Sequence, residues 1–383
     1  MVNNKTDILI YGAGIAGLWL FHTLKRSGYD VLLLEKNFIG GGQSIASQGI
    51  IHSGLKYTLA GKVSPLARAI GAMPDRWREA LNGSGPVDLS PAKNKVFSQN
   101  LLIPSGPLGG LVETLGKTAL GSTKKIPAAQ WPSGVTSSGF DGTLMEMGEP
   151  VLDIPAVICA LAKPYKNSIR KNNNATIEAK LTIYTAAAGN EPAAKQNGHA
   201  AGLETQKRPL LMGLMKNAPF VLHAHFVGPS EKPVATITTH KTKDGALIWY
   251  VGGAVAERAK DSDPSEVYTA IRKAFAKYMP SLDLSAIQWA SFPIDRIEGK
   301  SKTGGWLPDT PTIHEAGNAL YCWPTKLTFA PLLANMVMKK IENAGIKPSS
   351  QQTTDWSFLP EADYATAPWD SVKWTKDNSG KQG

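Results

Sequence analysis

Residues 6–11, Thr-Asp-Ile-Leu-Ile-Tyr, form the short apolar run expected of a buried parallel strand, and Gly12-Ala-Gly-Ile-Ala-Gly17 follows directly. Beyond the glycines, Ile15, Leu18, Phe21 and Leu24 recur at helical spacing, which predicts a helix running to Ser27 and closed by Gly28. Val31-Leu-Leu-Leu-Glu35 predicts a second buried strand. The chain therefore opens as strand, helix and strand within residues 6–36.

The pattern then loosens. Residues 40–57 are small and polar and read as loop, and residues 64–81 read as helix. Residues 82–148 are rich in Gly, Pro and Ser with short strand signals, which suits a second, mostly β domain. Residues 153–162 predict a helix with Asp153 as N-cap and Pro155 in its first turn. Residues 181–189 predict a strand ending in glycine. Residues 208–255 alternate as antiparallel strands do, with 235–240 and 246–251 flanking an Asp244-Gly245 turn. Helices are predicted over 264–279 and 331–343, with Gly345 past the end of the second. The tail after Pro348 carries Trp356, Trp369 and Trp374 and reads as an appendage packed on the body, its last eight or so residues loose. No internal repeat is evident.

Composition adds a charge. Across 383 residues, Lys plus Arg exceed Asp plus Glu by 41 − 31 = 10, and the pI is near 9.3. A basic field favours anionic partners: a carboxylate or phosphate substrate, an anionic membrane face touched peripherally, or nucleic acid. No block of five or six like charges appears, so a solvated basic surface explains the excess equally well. The two cysteines, Cys159 and Cys322, form no disulfide framework or zinc-like spacing and suit a reducing compartment. No apolar stretch reaches the roughly 18 residues of a membrane span. The fixed glycine spacing and the lack of a basic leader argue against a signal peptide at the apolar start, so the expected location is cytoplasmic.

The glycines carry the first chemistry. Gly12-x-Gly-x-x-Gly17 lies between a strand and a helix, and Glu35 lies eighteen residues beyond Gly17. This is the context of a dinucleotide site: Gly12 for the tight turn, Gly14 for close approach of the pyrophosphate, Gly17 for helix–strand packing. The helix N-terminus offers free N–H groups to the phosphates, and Glu35 can accept the ribose hydroxyls. The motif alone leaves NAD and FAD open. The segment that follows, Gln43-Ser-Ile-Ala-Ser-Gln-Gly-Ile-Ile-His-Ser-Gly-Leu-Lys-Tyr57, has the small and amide side chains able to line an extended cofactor, and it favours FAD.

On Gly12-x-Gly-x-x-Gly17, Glu35, Gln43-Ser44 and Gly49-Ile-Ile-His-Ser-Gly-Leu-Lys-Tyr57, the chain resembles the FAD-dependent oxidoreductases of the D-amino-acid oxidase superfamily. Its nearest look is to the branch oxidising 2-hydroxyglutarate and glycerol 3-phosphate. Glu149-Pro-Val-Leu-Asp153, Ala186-Ala-Ala-Gly189, Asn318-Ala-Leu-Tyr321 and the residues from Pro331 extend the likeness over most of 6–345. The resemblance implies an α/β fold: a Rossmann-like FAD-binding domain (1–81, 149–205 and 291–345) interleaved with a mixed or antiparallel β-sheet substrate domain (82–148 and 206–290), and a tail over 346–383. It also implies FAD contacts from Gly12, Gly14, Ile15, Ala16, Gly17, Glu35, Lys36, Gln43, Ser44, Ser47, Gln48, Gly49, Ile51, Ala188, Gly189, Pro324, Thr325, Lys326, Leu327 and Thr328. Two departures stand out. Cys322-Trp-Pro-Thr-Lys-Leu-Thr328 occupies the place of the family's glycine-rich closing stretch, and only residues 171–180 are available where the family carries a strand-turn-strand near the adenine.

In that layout His52 lies beside the flavin, either as base for a substrate proton or as a hydrogen-bonding anchor. Lys326, before the final helix, can stabilise negative charge on the reduced flavin or simply be solvated. Arg296 suits a substrate carboxylate or an ion pair with Asp295. Lys56, Tyr57, His240 and Tyr250 are further cavity candidates. His223 and His225 share a strand face but show no third metal ligand, so no metal is expected. The reaction implied is oxidation of a C–H bond of a small anionic hydroxy or amino acid by hydride transfer to flavin N5, the electron acceptor being open. The alternatives are a flavoenzyme acting on tRNA or another large anion, although no aromatic-basic stripe is present, and a non-catalytic FAD-binding or assembly module.

Overall fold

The computed structural model describes residues 4–52, 71–106, 123–230, 232–259, 261–300, 310–349 and 354–376. Its principal elements begin with β1 (Lys5–Tyr11), α1 (Ile15–Arg26), β2 (Val31–Glu35), α2 (Met73–Leu81), β3 (Val96–Pro104), β4 (Lys124–Lys125) and β5 (Gly142–Leu152). Next come α3 (Ile154–Ala162), β6 (Ile169–Lys171), β7 (Glu178–Tyr184), α4 (Asn190–Gln196), β8 (Thr205–Lys216), β9 (Ala224–Phe226) and β10 (Ala235–Lys241). The chain continues with β11 (Leu247–Gly252), α5 (Pro264–Tyr278), β12 (Gln288–Gly299), β13 (Thr312–Ala316), β14 (Ala319–Trp323) and α6 (Ala330–Asn343). They make an α/β structure with two sheets.

The first sheet has the order β13-β14-β7-β1-β2-β6 and is parallel except for β13. The apolar runs in β1 and β2 are continuous because both faces of these strands are covered. Ile8, Ile10, Val31 and Leu33 face α1, and Leu9, Leu32 and Leu34 face the other way. The helical spacing predicts one apolar face on α1, yet Ile15 through Leu24 are all buried. The reason is that α3 and α6 flank the helix, with Val157, Ile158, Leu161, Leu333, Val337 and Ile341 in the same core. Asp153 caps α3 as its sequence predicts, accepting from the Ala156 N–H at 3.1 Å. The strand expected over 181–189 stops at Tyr184, and Ala187–Gly189 forms a 3₁₀ turn instead. Buried Asn190 explains the break: its side chain accepts from the Ala186 N–H at 2.8 Å and donates to the Cys322 carbonyl at 3.0 Å.

The second sheet runs β12-β8-β11-β10-β9-β3-β5-β4. β8 and β12 pair along their full length, from Thr205↔Gly299 to Lys216↔Gln288. Residues 291–299 therefore lie in this sheet and not with the nucleotide domain, because twelve continuous antiparallel pairs hold the strand there. One face is sealed by α5, whose Val267, Ile271 and Phe275 pack with Leu211, Met215, Trp249 and Trp289. The opposite face carries buried polar side chains, among them His225, Thr236 and Thr238. The turn between β10 and β11 closes as predicted, with Gly245 at φ +86°.

The tail is structural. Trp356 and Leu359 bury against Leu9, Leu32 and Leu34, on the face of the first sheet away from α1. Residues 364 and 375 bridge to Ile39 and Trp289, and Trp369 stacks on His240 with ring centroids 4.0 Å apart. One strap thus fastens both sheets. Among the described residues no helix is long and apolar enough to cross a membrane.

Two stability predictions follow from this packing. Trp356→Ala removes a fully buried indole, and urea unfolding should register a loss of about 3–5 kcal/mol; an unchanged midpoint would mean that the strap does not hold the sheet. The second concerns protons. Burial pushes His223 down to about 4 and His240, with His223 also opposing its charge, down to about 3. Both rings protonate near about 6.5 in the unfolded chain, so that state binds more protons as pH falls from about 7 to 4, and stability drops across this window. The double variant His223→Gln/His240→Gln should flatten the slope in denaturation measured at several pH values; an equally steep slope would show that other groups set it.

Candidate active site

The carboxyl ends of β1, β7 and β14 converge where α1 begins, the place at which open parallel sheets bind ligands. The Thr185 hydroxyl donates to the Gly12 carbonyl at 2.8 Å and ties the two strand ends together. A Cβ on Gly17 would lie 2.0 Å from the Gly12 carbonyl oxygen, so only glycine lets the helix start this close to the strand. The first helical N–H, that of Ile15, donates to the Ser44 hydroxyl at 2.8 Å. The N–H groups of Ala16 and Gly17 lie in the first turn, where a helix leaves donors without internal acceptors, and the dipole adds positive potential. Together these make a seat for phosphate. Glu35, at the end of β2, accepts from the Ala13 N–H at 2.7 Å through one oxygen and from the Asn37 N–H at 2.8 Å through the other. Each oxygen keeps a lone pair for a ribose hydroxyl. Ser47 adds a buried hydroxyl with no hydrogen-bond partner among the described residues. An orphaned donor beside a glycine cradle and a strand-end acid fits FAD.

Residues 40–52 join the two sheets. The Gly40 N–H donates to the Ala13 carbonyl at 2.7 Å on the first side. On the second, the Gln48 amide donates to the carbonyls of Thr236 and Tyr250 at 2.8 and 2.9 Å. The Tyr250 hydroxyl returns a bond to the Ala46 carbonyl at 2.8 Å, and the Gln43 side chain accepts from the Ile297 N–H at 3.3 Å. Gly49 has φ +73°, and a Cβ there would lie 2.2 Å from the Leu152 carbonyl oxygen. That contact lets the end of β5 pair with the loop, Leu152 N–H to Gly49 O at 3.0 Å and Ile51 N–H to Pro150 O at 2.9 Å.

The loop ends on His52, whose backbone N–H donates to the Thr328 hydroxyl at 3.3 Å. Its imidazole Nδ1 lies 3.1 Å from Oε2 of Glu149; the ring is half exposed and the carboxylate is buried. The His225 ring is parallel to within 25° at 6.0 Å, and its Nδ1 is 2.8 Å from the Thr236 hydroxyl. One ligand atom each from His52, Glu149 and His225 falls within 4.8 Å of the others. Glu149 escapes sequence reading because it looks like part of the approach to α3. Pairing of β5 with the loop, 97 residues away, is what brings it to His52.

The remaining candidates spread around this point. Thr328 is buried and its carbonyl accepts from the Trp77 indole at 3.0 Å, so it braces His52 against α2. Lys326 lies in the turn before α6, with its ammonium 5.5 Å from the Phe329 ring, and Leu327 packs partly on the first core. Thr325 has φ +67° and donates to the Thr310 carbonyl at 2.8 Å, after Pro324. Asp295 pairs with Lys207 at 2.6 Å rather than with Arg296. Arg296 instead reaches Glu257 at 4.0 Å, and its buried Nε has no hydrogen-bond partner among the described residues. Burial, with Arg208 opposite, lowers the Arg296 pKa from its usual range. Tyr250 and His240 pack around Trp369, and the Tyr250 hydroxyl donates to the Ala46 carbonyl, so Tyr250 supports the 40–52 loop. Ala188 and Gly189 form the turn after β7, and Lys36 follows Glu35 on the surface. Burial drives the Cys322 thiol far above its usual range, which leaves it unreactive. Lys56 and Tyr57 lie outside the described residues.

Residues 7–301 match the family described as FAD dependent oxidoreductase (DAO). The chain is 35% identical to the probable FAD-dependent oxidoreductase PA4991 of Pseudomonas aeruginosa, over 96% of this chain and 98% of that protein. The crystal structure of PA4991 superposes with a TM-score of 0.79 at 32% identity, covering 97% of this chain and 99% of the other. Glycine oxidase from Geobacillus kaustophilus shares the fold at a TM-score of 0.64 and 14% identity, over 95% and 100% of the two chains. So does L-α-glycerophosphate oxidase from Mycoplasma pneumoniae, at 0.64 and 15%, over 92% and 98%. With the phosphate cradle, the stitched loop and these similarities in agreement, the chain belongs to the FAD-dependent oxidoreductases of the D-amino-acid oxidase type.

Proposed function

We propose that this flavoenzyme oxidises a C–H bond of a small anionic hydroxy or amino acid and that His52 takes up the proton the substrate releases. The hydrogen bond between His52 Nδ1 and the buried Glu149 carboxylate carries the reading. Bound FAD supplies the two-electron acceptor. With Nδ1–H donated to Glu149, Nε2 keeps its lone pair and becomes the accepting atom. Glu149 is a positioning residue: it fixes the ring's orientation and tautomer and favours the imidazolium that forms. The Thr328 hydroxyl, bonded to the His52 backbone, holds the loop that carries the base.

The anionic part of the substrate class rests on cations near the same loop. Arg296 precedes Ile297, the residue that Gln43 grips, and its buried Nε, without a hydrogen-bond partner among the described residues, is a donor suited to a carboxylate or phosphate. Lys326 and the first turn of α6 add positive potential next to Thr328.

A panel of 2-hydroxy acids, amino acids and phosphorylated polyols mixed anaerobically with the FAD-loaded enzyme tests this reading through the rate of flavin bleaching. At least one class should bleach it. His52→Asn should slow that step by about 10²–10⁴-fold with FAD retained, and Glu149→Gln should slow it less. Bleaching by none of the panel would remove the substrate class. An undiminished rate in His52→Asn would remove the proton acceptor.

A further inference from the structure

We propose that His52, Glu149 and His225 form a binding site for a divalent cation of the zinc class, and that occupancy of this site switches the enzyme off. Binding of the ion stands on geometry alone; the switching rests on the function proposed for His52.

The three side chains come from three separate segments, the end of the 40–52 loop, β5 and β9, and offer two imidazole nitrogens and a carboxylate oxygen within 4.8 Å of one another. Two histidines and one carboxylate, with a further side left for water, is a donor set that zinc takes in open sites. Zinc bonds of about 2.0–2.2 Å place tetrahedral ligands about 3.3–3.5 Å apart. The His52–Glu149 pair, at 3.1 Å, already has nearly this spacing. The third donor needs only a small closing movement, and His52, half exposed, is able to turn. His225 also has the second partner that metal-bound histidines use. Its Nδ1 lies 2.8 Å from the Thr236 hydroxyl, a contact that holds the ring's orientation. Buried Glu149 contributes the negative charge that a dication needs.

The consequence follows from proton accounting within one ring. In the metal-free site Nδ1–H of His52 is given to Glu149 and Nε2 is bare. A cation bound between the two residues takes the Nδ1 lone pair, and the ring proton moves to Nε2. No atom is gained or lost, but the nitrogen assigned to accept the substrate's proton is now occupied.

The test uses tag-free, FAD-loaded, EDTA-dialysed enzyme titrated with Zn²⁺, with the bound metal counted by equilibrium dialysis and flavin bleaching followed in parallel. One ion per chain should bind, and bleaching should fall in step with occupancy and recover on adding EDTA. Glu149→Gln and His225→Asn should each abolish stoichiometric binding. Thr236→Val, a milder change that keeps all three ligands, should weaken binding by about 10–100-fold, and FAD retention checks that each variant is folded. Absence of stoichiometric binding, or affinity unchanged in the folded variants, would overturn the site. One bound ion that leaves bleaching untouched would uphold the site and overturn both the switch and the proton role of His52.

Discussion

Residues 40–52 must satisfy their backbone hydrogen bonds from both sheets at once, and the rest of the site depends on that constraint. A loop held only by the nucleotide side would leave His52 free of Glu149. A loop held only by the second sheet would leave Ser44 away from the start of α1. The bonds from Ala13, Thr236, Tyr250, Pro150 and Leu152 determine the path residue by residue. Gly49 marks the tightest point, since its missing side chain is what allows Leu152 to pair there. Buried backbone groups left unpaired are costly, so the loop has few other courses. The two sheets thus meet through one segment that is hydrogen-bonded to both.

The tail solves a related problem. The connection between β6 and β7 is short, and the face of the first sheet that it crosses would expose Leu9, Leu32 and Leu34. Trp356 and Leu359 cover them, Ala175 and Ile177 complete the patch, and the chain then proceeds to Trp369 beneath Tyr250. Burial of Trp356 and Trp369 offsets part of the entropy lost in ordering the residues between them. The same strap that shields this face of the first sheet also packs against Tyr250, whose carbonyl accepts from Gln48.

The opening strand, helix and strand are legible because each rests on local pattern: a continuous apolar run, glycines at fixed spacing, an acid at the second strand's end. The Asp153 cap and the Gly245 turn are legible for the same reason, since each is a matter of a few neighbouring residues. What escapes is non-local. Nothing near Glu149 announces a buried carboxylate, because its partner comes from a loop and its burial from β-pairing. His225 looks like half of a pair with His223 until β9 is placed beside β10 and Thr236. The end of β7 is misjudged because Asn190, further along, pulls residues 186–189 into a turn. Likewise, the reach of β12 into the second sheet depends on its register with β8, which no window of β12 alone contains.

These long-range pairings make a single arrangement: a cofactor cradle on one sheet, a polar wall on the other, and His52 between them with Glu149 behind. A crystal structure of the FAD-loaded enzyme with a non-oxidisable substrate analogue tests that arrangement most directly. The account predicts that the His52–Glu149 bond persists and that Nε2 lies about 2.6–3.2 Å from the analogue's hydroxyl or amine. An imidazole turned away from the analogue, with Glu149 bonded elsewhere, would contradict it.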